Sequence, residues 1–182
     1  MVFRVDEGGL SLCIGRRAAV PGDPWSGDLA FPGGKADPGD STLHGVASRE
    51  TYEEVGLELS QEDLIGDLGH VPAHGPNRPL DTFPLVYLID REPAPFELNH
   101  EFSDAAWVRL ADLWRAGNWL RFIYPPTGME FPGIRTMNHV LWGYSLRVLH
   151  DFSVRMERPL TTLMHDRNLP LQDGRPVAGE HR

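Results

Sequence analysis

Apolar and polar positions alternate with a period that changes along the chain, and each change marks an element. Val2 to Val5 and Leu10 to Gly15 are short apolar runs on either side of Asp6-Glu7-Gly8-Gly9, which predicts a hairpin. Leu43, Val46, Ala47 and Val55 recur at helical spacing, with Asp40 or Ser41 placed to cap the first turn and Gly56 to end the helix. Leu64 to Val71 and Thr82 to Asp90 predict strands, and Phe83, Leu85, Val86, Leu88 and Ile89 are too continuous for a sheet face open to water. A shorter strand over Ala105 to Val108 leads into a helix near Leu110 to Ala116. A last helix spans Met137 to Phe152, with Val140, Leu141, Tyr144, Val148 and Phe152 as its buried stripe. From Asp166 the chain is polar with Pro and Gly. One domain over 1–165 is therefore expected, followed by a disordered tail over 166–182. These elements predict an α/β fold, a sheet sandwiched between helices.

The helix ending at Gly56 carries Glu50, Glu53 and Glu54. At about 100° per residue, these spacings put three carboxylates within roughly a 100° arc. Glu50 and Glu54 project at nearly the angle of Leu43 and Ala47, and Glu53 lies beside Val46. The acidic face thus continues the core-facing stripe. A solvated acidic face is the ordinary reading of such a cluster, but burying unpaired carboxylates costs several kcal/mol each. A metal site fits better. Oxygen donors at helical spacing suit Mg²⁺ first and Mn²⁺ second. Zinc is disfavoured: Cys13 is the only cysteine, and the histidines have no paired-ligand spacing. His70 and His74 flank Pro72 in a loop and read as surface histidines.

Upstream, Phe31-Pro32-Gly33-Gly34-Lys35 permits a tight turn whose bare amides and carbonyls can approach a metal or phosphate. A simple hairpin turn is the alternative. Lys35 is the one lysine beside 16 arginines, a candidate phosphate-facing charge. The chain's 182 residues, 41% hydrophobic, suffice for a substantial core without disulfides. A single cysteine and the lack of a visible signal peptide or membrane span suit the cytoplasm. The formal charge of −9 argues against a nucleic-acid polymer as partner. An acidic protein that handles phosphates needs divalent cations.

Together, Gly34, Asp40, Arg49-Glu50, Glu53-Glu54, Gly56 and Leu57 resemble the Nudix hydrolase motif. The chain departs from that motif with Asp at position 40, a spacer of eight residues from Asp40 to Arg49, and Thr51 for an aliphatic residue. The first two departures resemble the coenzyme A diphosphatase branch. So do the Leu10 to Arg16 strand and Gly27 to Gly34, although a second Arg of that branch is missing and Ala18 to Ser26 is longer. Chains of this family often begin before the first strand, whereas this one opens on it, so a truncated or misannotated start is expected.

The resemblance implies an α/β/α Nudix fold and Mg²⁺-dependent hydrolysis of a diphosphate. It implies that Glu50, Glu53 and Glu54 hold metal with the Gly34 carbonyl, and that Arg49 orients a carboxylate. Asp40 would support the helix start. The general base is either a carboxylate of the cluster or Glu101, from Asn99-His100-Glu101-Phe102, with Asp104 next and a plain surface acid as the alternative. Arg16, Lys35, Gly33 and Gly34 are the expected substrate contacts. Pro72 to Leu80 is either a substrate-selecting loop or merely a stiff one, and Phe122 to Ile134 either walls an apolar pocket or packs against the last helix. The expected substrate is coenzyme A or acyl-coenzyme A. Alternatives are ADP-ribose, NADH or a dinucleoside polyphosphate, and a non-catalytic ligand-binding Nudix scaffold. A monomer or homodimer without membrane contact is expected.

Overall fold

A computed structural model describes residues 1–74, 79–124 and 126–172, in two units, Met1–Leu110 and Ala111–Arg182. Residues 75–78 of the Pro72 to Leu80 loop, Pro125 of the Phe122 to Ile134 segment, and 173–182 of the tail lie outside the described residues.

The first unit holds β1 (Val2–Asp6), β2 (Gly9–Arg17), β3 (Leu29–Ala30), α1 (Leu43–Val55), β4 (Leu64–Asp67), β5 (Ala73–His74), β6 (Pro79–Leu80), β7 (Leu85–Ile89) and β8 (Phe102–Arg109). Its main sheet is mixed, in the order β3-β2-β1-β7-β4 with β8 on β2. β1 runs antiparallel to β2 and parallel to β7. The expected first hairpin is present: Asp6 faces Gly9, and the Asp6 carboxylate accepts from the Gly8 N–H at 2.8 Å. Strands 64–71 and 82–90 are shorter than expected, whereas 105–108 extends to a full eight residues. A Cβ at Gly15 would collide with the Phe102 ring, so glycine lets β8 begin tight against β2.

One face of this sheet buries α1. Val55 and Leu57 pack with Val2, Cys13, Tyr87 and Ile89, and Ala47 and Trp107 close the edges. Each fully buried side chain of this size contributes about 1.5–3 kcal/mol, enough to fix the helix against the strands. His44 Nδ1 lies 3.0 Å from the Tyr87 hydroxyl and ties down the helix start. Beyond the helix, Arg91 donates to both Asp63 oxygens at 2.6 and 2.9 Å, while the Ser60 N–H and hydroxyl donate to Asp63 at 2.8 and 3.0 Å.

Helix α2 (Leu110–Leu113) begins at the last residue of the first unit. The second unit holds β9 (Trp119–Tyr124), β10 (Met129–Thr136), β11 (His139–Trp142), α3 (Gly143–Arg155), α4 (Thr161–Met164) and β12 (Leu171–Gln172). β11-β10-β9-β12 form one sheet, in which Phe122, Phe131 and Trp142 make edge-to-face and tilted ring contacts.

The last helix departs from expectation. Met137 and Asn138 take φ of 50° and 58° and form a two-residue hairpin loop between Thr136 and His139. Positive φ at both loop positions matches the twist of the flanking strands. Val140, Leu141 and Trp142 are therefore strand residues, and the helix starts at Gly143. Phe122 to Ile134, read as a pocket wall or packing segment, is the β9–β10 hairpin. β12, within the stretch expected to be disordered, pairs with β9.

Candidate active site

Three segments of the first unit meet at the end of β2: the Gly33-Gly34 turn, the second half of α1, and loop 97–101. Helix α1 is capped by Thr42, whose hydroxyl accepts from the Gly45 N–H at 3.0 Å, not by Asp40 or Ser41. Its other end is as expected: Gly56 takes φ 74° and donates to the Tyr52 carbonyl. Asp40 does another job. It accepts from the Asp37 N–H at 2.8 Å and from Arg49 Nη2 and Nε at 2.8 and 3.3 Å. The loop thus ends on the arginine of the helix.

Arg49 organises the acidic face. Its Nη1 lies 3.0 Å from Glu50 and 3.1 Å from Glu53, and its Nη2 donates to the Lys35 carbonyl at 3.1 Å. The Lys35 side chain is exposed. Glu50 lies against the turn, where a Cβ at Gly34 would collide with its carboxyl group. Glu54 is only 3% exposed and accepts from the Gly33 N–H at 2.8 Å. Gly33 holds φ 145°, a conformation side chains disfavour. Glu53 points outward, its side chain 52% exposed, so the three carboxylates do not share one environment.

Glu101 is brought to this group by the backbone. The Asn99 N–H donates to the Glu54 carbonyl at 3.3 Å and the Glu97 N–H to that of Val55 at 3.1 Å, which seats the loop on the end of α1. The Ala18 N–H then donates to the Glu101 carbonyl at 2.7 Å. Asp104 is exposed on β8.

Burial pushes the Glu54 carboxyl up to about 8; Glu101 and Glu50 add to the rise, and the Gly33 N–H and Arg17 oppose it. Glu50 is also raised, first by burial and then by Glu53 and Glu101, against the pull of Arg49. The acids repel one another and want a cation. Among the described residues, no three His, Cys, Asp or Glu side chains form a preformed ligand set, because Arg49 engages Glu50 and Glu53 while Gly33 engages Glu54. The donor chemistry nonetheless fits a hard divalent ion, since carboxylate and backbone oxygens surround the turn and cysteine is out of play. Cys13 is buried, its thiol pushed up to about 12 by desolvation.

The two arginines ending β2 part company. Alternation along the strand sets Arg17 on the face of Cys13 and α1, where it acts on Glu54. Arg16 leaves on the other face and its guanidinium approaches Gly27. Sequence reasoning singled out Arg16 and passed over Arg17; the period of two counted from Cys13 was the available signal. His70, read as a surface histidine, lies 2.7 Å from Asp81 in an exposed pair.

A family description, the NUDIX domain, matches residues 1–125, which contain every residue of this site. The chain belongs to the Nudix family. The human "Mitochondrial coenzyme A diphosphatase NUDT8" is 44% identical over 140 residues, covering 74% of this chain and 58% of its own length. The "Uncharacterized Nudix hydrolase NudL" of Photorhabdus laumondii is 26% identical over 137 residues, covering 72% of this chain and 70% of its own. Among solved structures, the NUDIX domain of Shewanella oneidensis NrtR, complexed with ADP ribose, gives a TM-score of 0.57 at 17% identity, covering 85% of this chain and 83% of its own. That likeness shows the shared α/β Nudix fold. The chain spans little more than half the human relative's length, 58%. No helix among the described residues is long and apolar enough to cross a membrane.

Proposed function

We propose that this Nudix chain is a Mg²⁺-dependent diphosphatase whose substrate is coenzyme A or acyl-coenzyme A, released as 3′,5′-ADP and (acyl-)4′-phosphopantetheine. The observation that carries the reading is Glu54, a buried carboxyl raised to about 8, pinned to the glycine turn beside Glu50 and in the field of Glu101. A purely structural helix has no use for a desolvated acid in that place. The substrate class rests on the coenzyme A diphosphatase named as the human relative.

Glu50, Glu53, Glu54 and the Gly34 carbonyl would hold Mg²⁺, with Mn²⁺ as substitute. Bound there, the ion would neutralise phosphate charge and acidify a coordinated water. Arg49 keeps Glu50 and Glu53 on one side of the helix and ties them to Asp40. The Gly33 N–H fixes one Glu54 oxygen. A carboxylate of the Glu50 to Glu54 cluster, or Glu101, would take a proton from the attacking water. Lys35, Gly33 and Arg16 are the remaining candidate substrate contacts. The unpaired cysteine is consistent with a reducing compartment, and we place the enzyme in the cytoplasm.

A second reading, a diphosphatase for ADP-ribose, NADH or dinucleoside polyphosphates, draws on the divergent segment Ala18 to Ser26. It folds on itself through Asp23, whose carboxylate accepts from the Trp25 N–H at 3.0 Å and whose carbonyl accepts from the Ser26 N–H at 3.1 Å. Purified protein with Mg²⁺ and a panel of coenzyme A, acetyl-coenzyme A, ADP-ribose, NADH and nucleoside triphosphates separates the two. Coenzyme A should give the highest kcat/KM. A preference for ADP-ribose or NADH would move the assignment to the second reading, and no turnover of any member would overturn both.

A further inference from the structure

Arg17 and Asp23 form an ion pair at the end of β2, outside the motif residues 34–57. Arg17 Nη2 lies 2.8 Å from Asp23 Oδ2, and both side chains are mostly buried. The contact uses one corner of a guanidinium that has five donors. Its Nε is buried with no hydrogen-bond partner, so the group is under-used where it sits. Its backbone is fixed: the Arg17 N–H donates to the Asp28 carbonyl at 2.9 Å, and the next amide, of Ala18, donates to the Glu101 carbonyl. The side chain leaves β2 on the face occupied by α1, toward Glu54. Asp23, by contrast, sits on loop 18–28, which is pinned across its base by the Ser26 hydroxyl accepting from the Val20 N–H at 2.8 Å.

We propose that Arg17 is a diphosphate-contacting specificity residue and that Asp23 is its built-in competitor, holding the guanidinium until a more highly charged anion takes it. This deepens the diphosphatase reading and rests on it. The chemistry is a contest between two anions for one fork. A carboxylate offers a single charge at the price of one loop contact, whereas a diphosphate offers several oxygens and can engage two donors at once. The two residues therefore act in opposite directions on the same equilibrium. That opposition separates the proposal from a merely structural ion pair, in which removing either partner loosens the same loop and weakens binding alike.

The test compares wild type, R17A, D23N and the double variant, each with its thermal melt as a folding control. Binding of inorganic diphosphate with Mg²⁺ is read by calorimetry, and turnover of coenzyme A and ADP-ribose by steady-state kinetics. Asn at position 23 keeps an oxygen for the Trp25 N–H while removing the competing charge. R17A should weaken diphosphate binding and raise KM by about tenfold, a lost charge-assisted contact, with kcat within about twofold. D23N should tighten binding and lower KM severalfold, and in the R17A background it should have no effect. Shifts of the same sign in R17A and D23N, or a D23N effect that persists without Arg17, would overturn the proposal. Should D23N fail to fold, R17A alone decides, because its diphosphate affinity must depend less on ionic strength than that of wild type. Wild type that binds diphosphate but turns over neither substrate would sink the diphosphatase reading while leaving the opposed binding shifts to decide the role of Arg17.

Discussion

Replacing Glu54 with glutamine removes one ionisable group while keeping its shape and an oxygen for the Gly33 N–H. In the unfolded chain this glutamate titrates near its ordinary value of 4.5; in the native protein without metal, burial holds it at about 8. Between those values the folded state binds one more proton than the unfolded state. Stability is therefore fully present below about pH 4.5 and is lost as pH rises toward 8, by about 1.4 kcal/mol per pH unit. From about pH 5.5 to 7.5 the loss is roughly 2.5 kcal/mol, and Glu50, shifted in the same direction, adds to it. Urea unfolding in EDTA across that range should show wild type weakening relative to E54Q, with E54Q the more stable protein at about pH 7.5. At about pH 5 the two should nearly converge. Excess Mg²⁺ should raise the wild-type midpoint and flatten its pH dependence, because a bound cation favours the ionised acid, and should leave E54Q almost unmoved. Activity of E54Q should fall by orders of magnitude. Parallel pH profiles for the two proteins in EDTA would refute the reasoning, since they would mean that Glu54 is already ionised, or already satisfied, in the folded state.

Three further outcomes follow from neighbouring residues. G34A places a methyl group in the space of the Glu50 carboxyl, so turnover should drop at least tenfold with less than about 1 kcal/mol lost in a melt; wild-type rates would contradict the close approach. R49K keeps the charge but loses the fork that joins Asp40, Glu50 and Glu53, and kcat should fall by roughly a hundredfold with a smaller change in KM. D63A removes the acceptor shared by Ser60 and Arg91 and should cost about 2 kcal/mol or more in urea unfolding near neutral pH. Because the guanidinium holds Asp63 down to about 2, that stability is present above about pH 4 and fades as pH falls toward 2; a difference unchanged at low pH would remove the ion pair from the account.

The helix of the candidate site was legible because its pattern is local. Glu50, Glu53, Glu54 and Gly56 fall within seven consecutive positions, and the wheel that set the acids on the core stripe foretold a buried Glu54. The same wheel grouped Glu53 with them, and the structure shows it half exposed, paired with Arg49 on the helix surface. The cap was misplaced by one or two residues: Asp40 is an equally good capping residue, but its carboxylate is claimed by Arg49 across the loop, a contact that the capping pattern does not encode. The course of Arg17 was not legible for a similar reason. It reads as one of two adjacent arginines until Cys13 is known to face α1. The largest departure, strand β11 in place of a helix, came from a hairpin turn without glycine. Met137 and Asn138 adopt positive φ with only Asn138 as a signal, and the apolar run after them fits either period.

Mn²⁺ uptake followed by electron paramagnetic resonance, with wild type and an E50Q/E54Q double variant at about pH 7, tests the carboxylate site most directly. Wild type should remove Mn²⁺ from the free pool and release a proton as it does so, since Glu54 must ionise to receive the ion, while the double variant should do neither. Equal uptake by both proteins would contradict the claim that these two acids hold the metal.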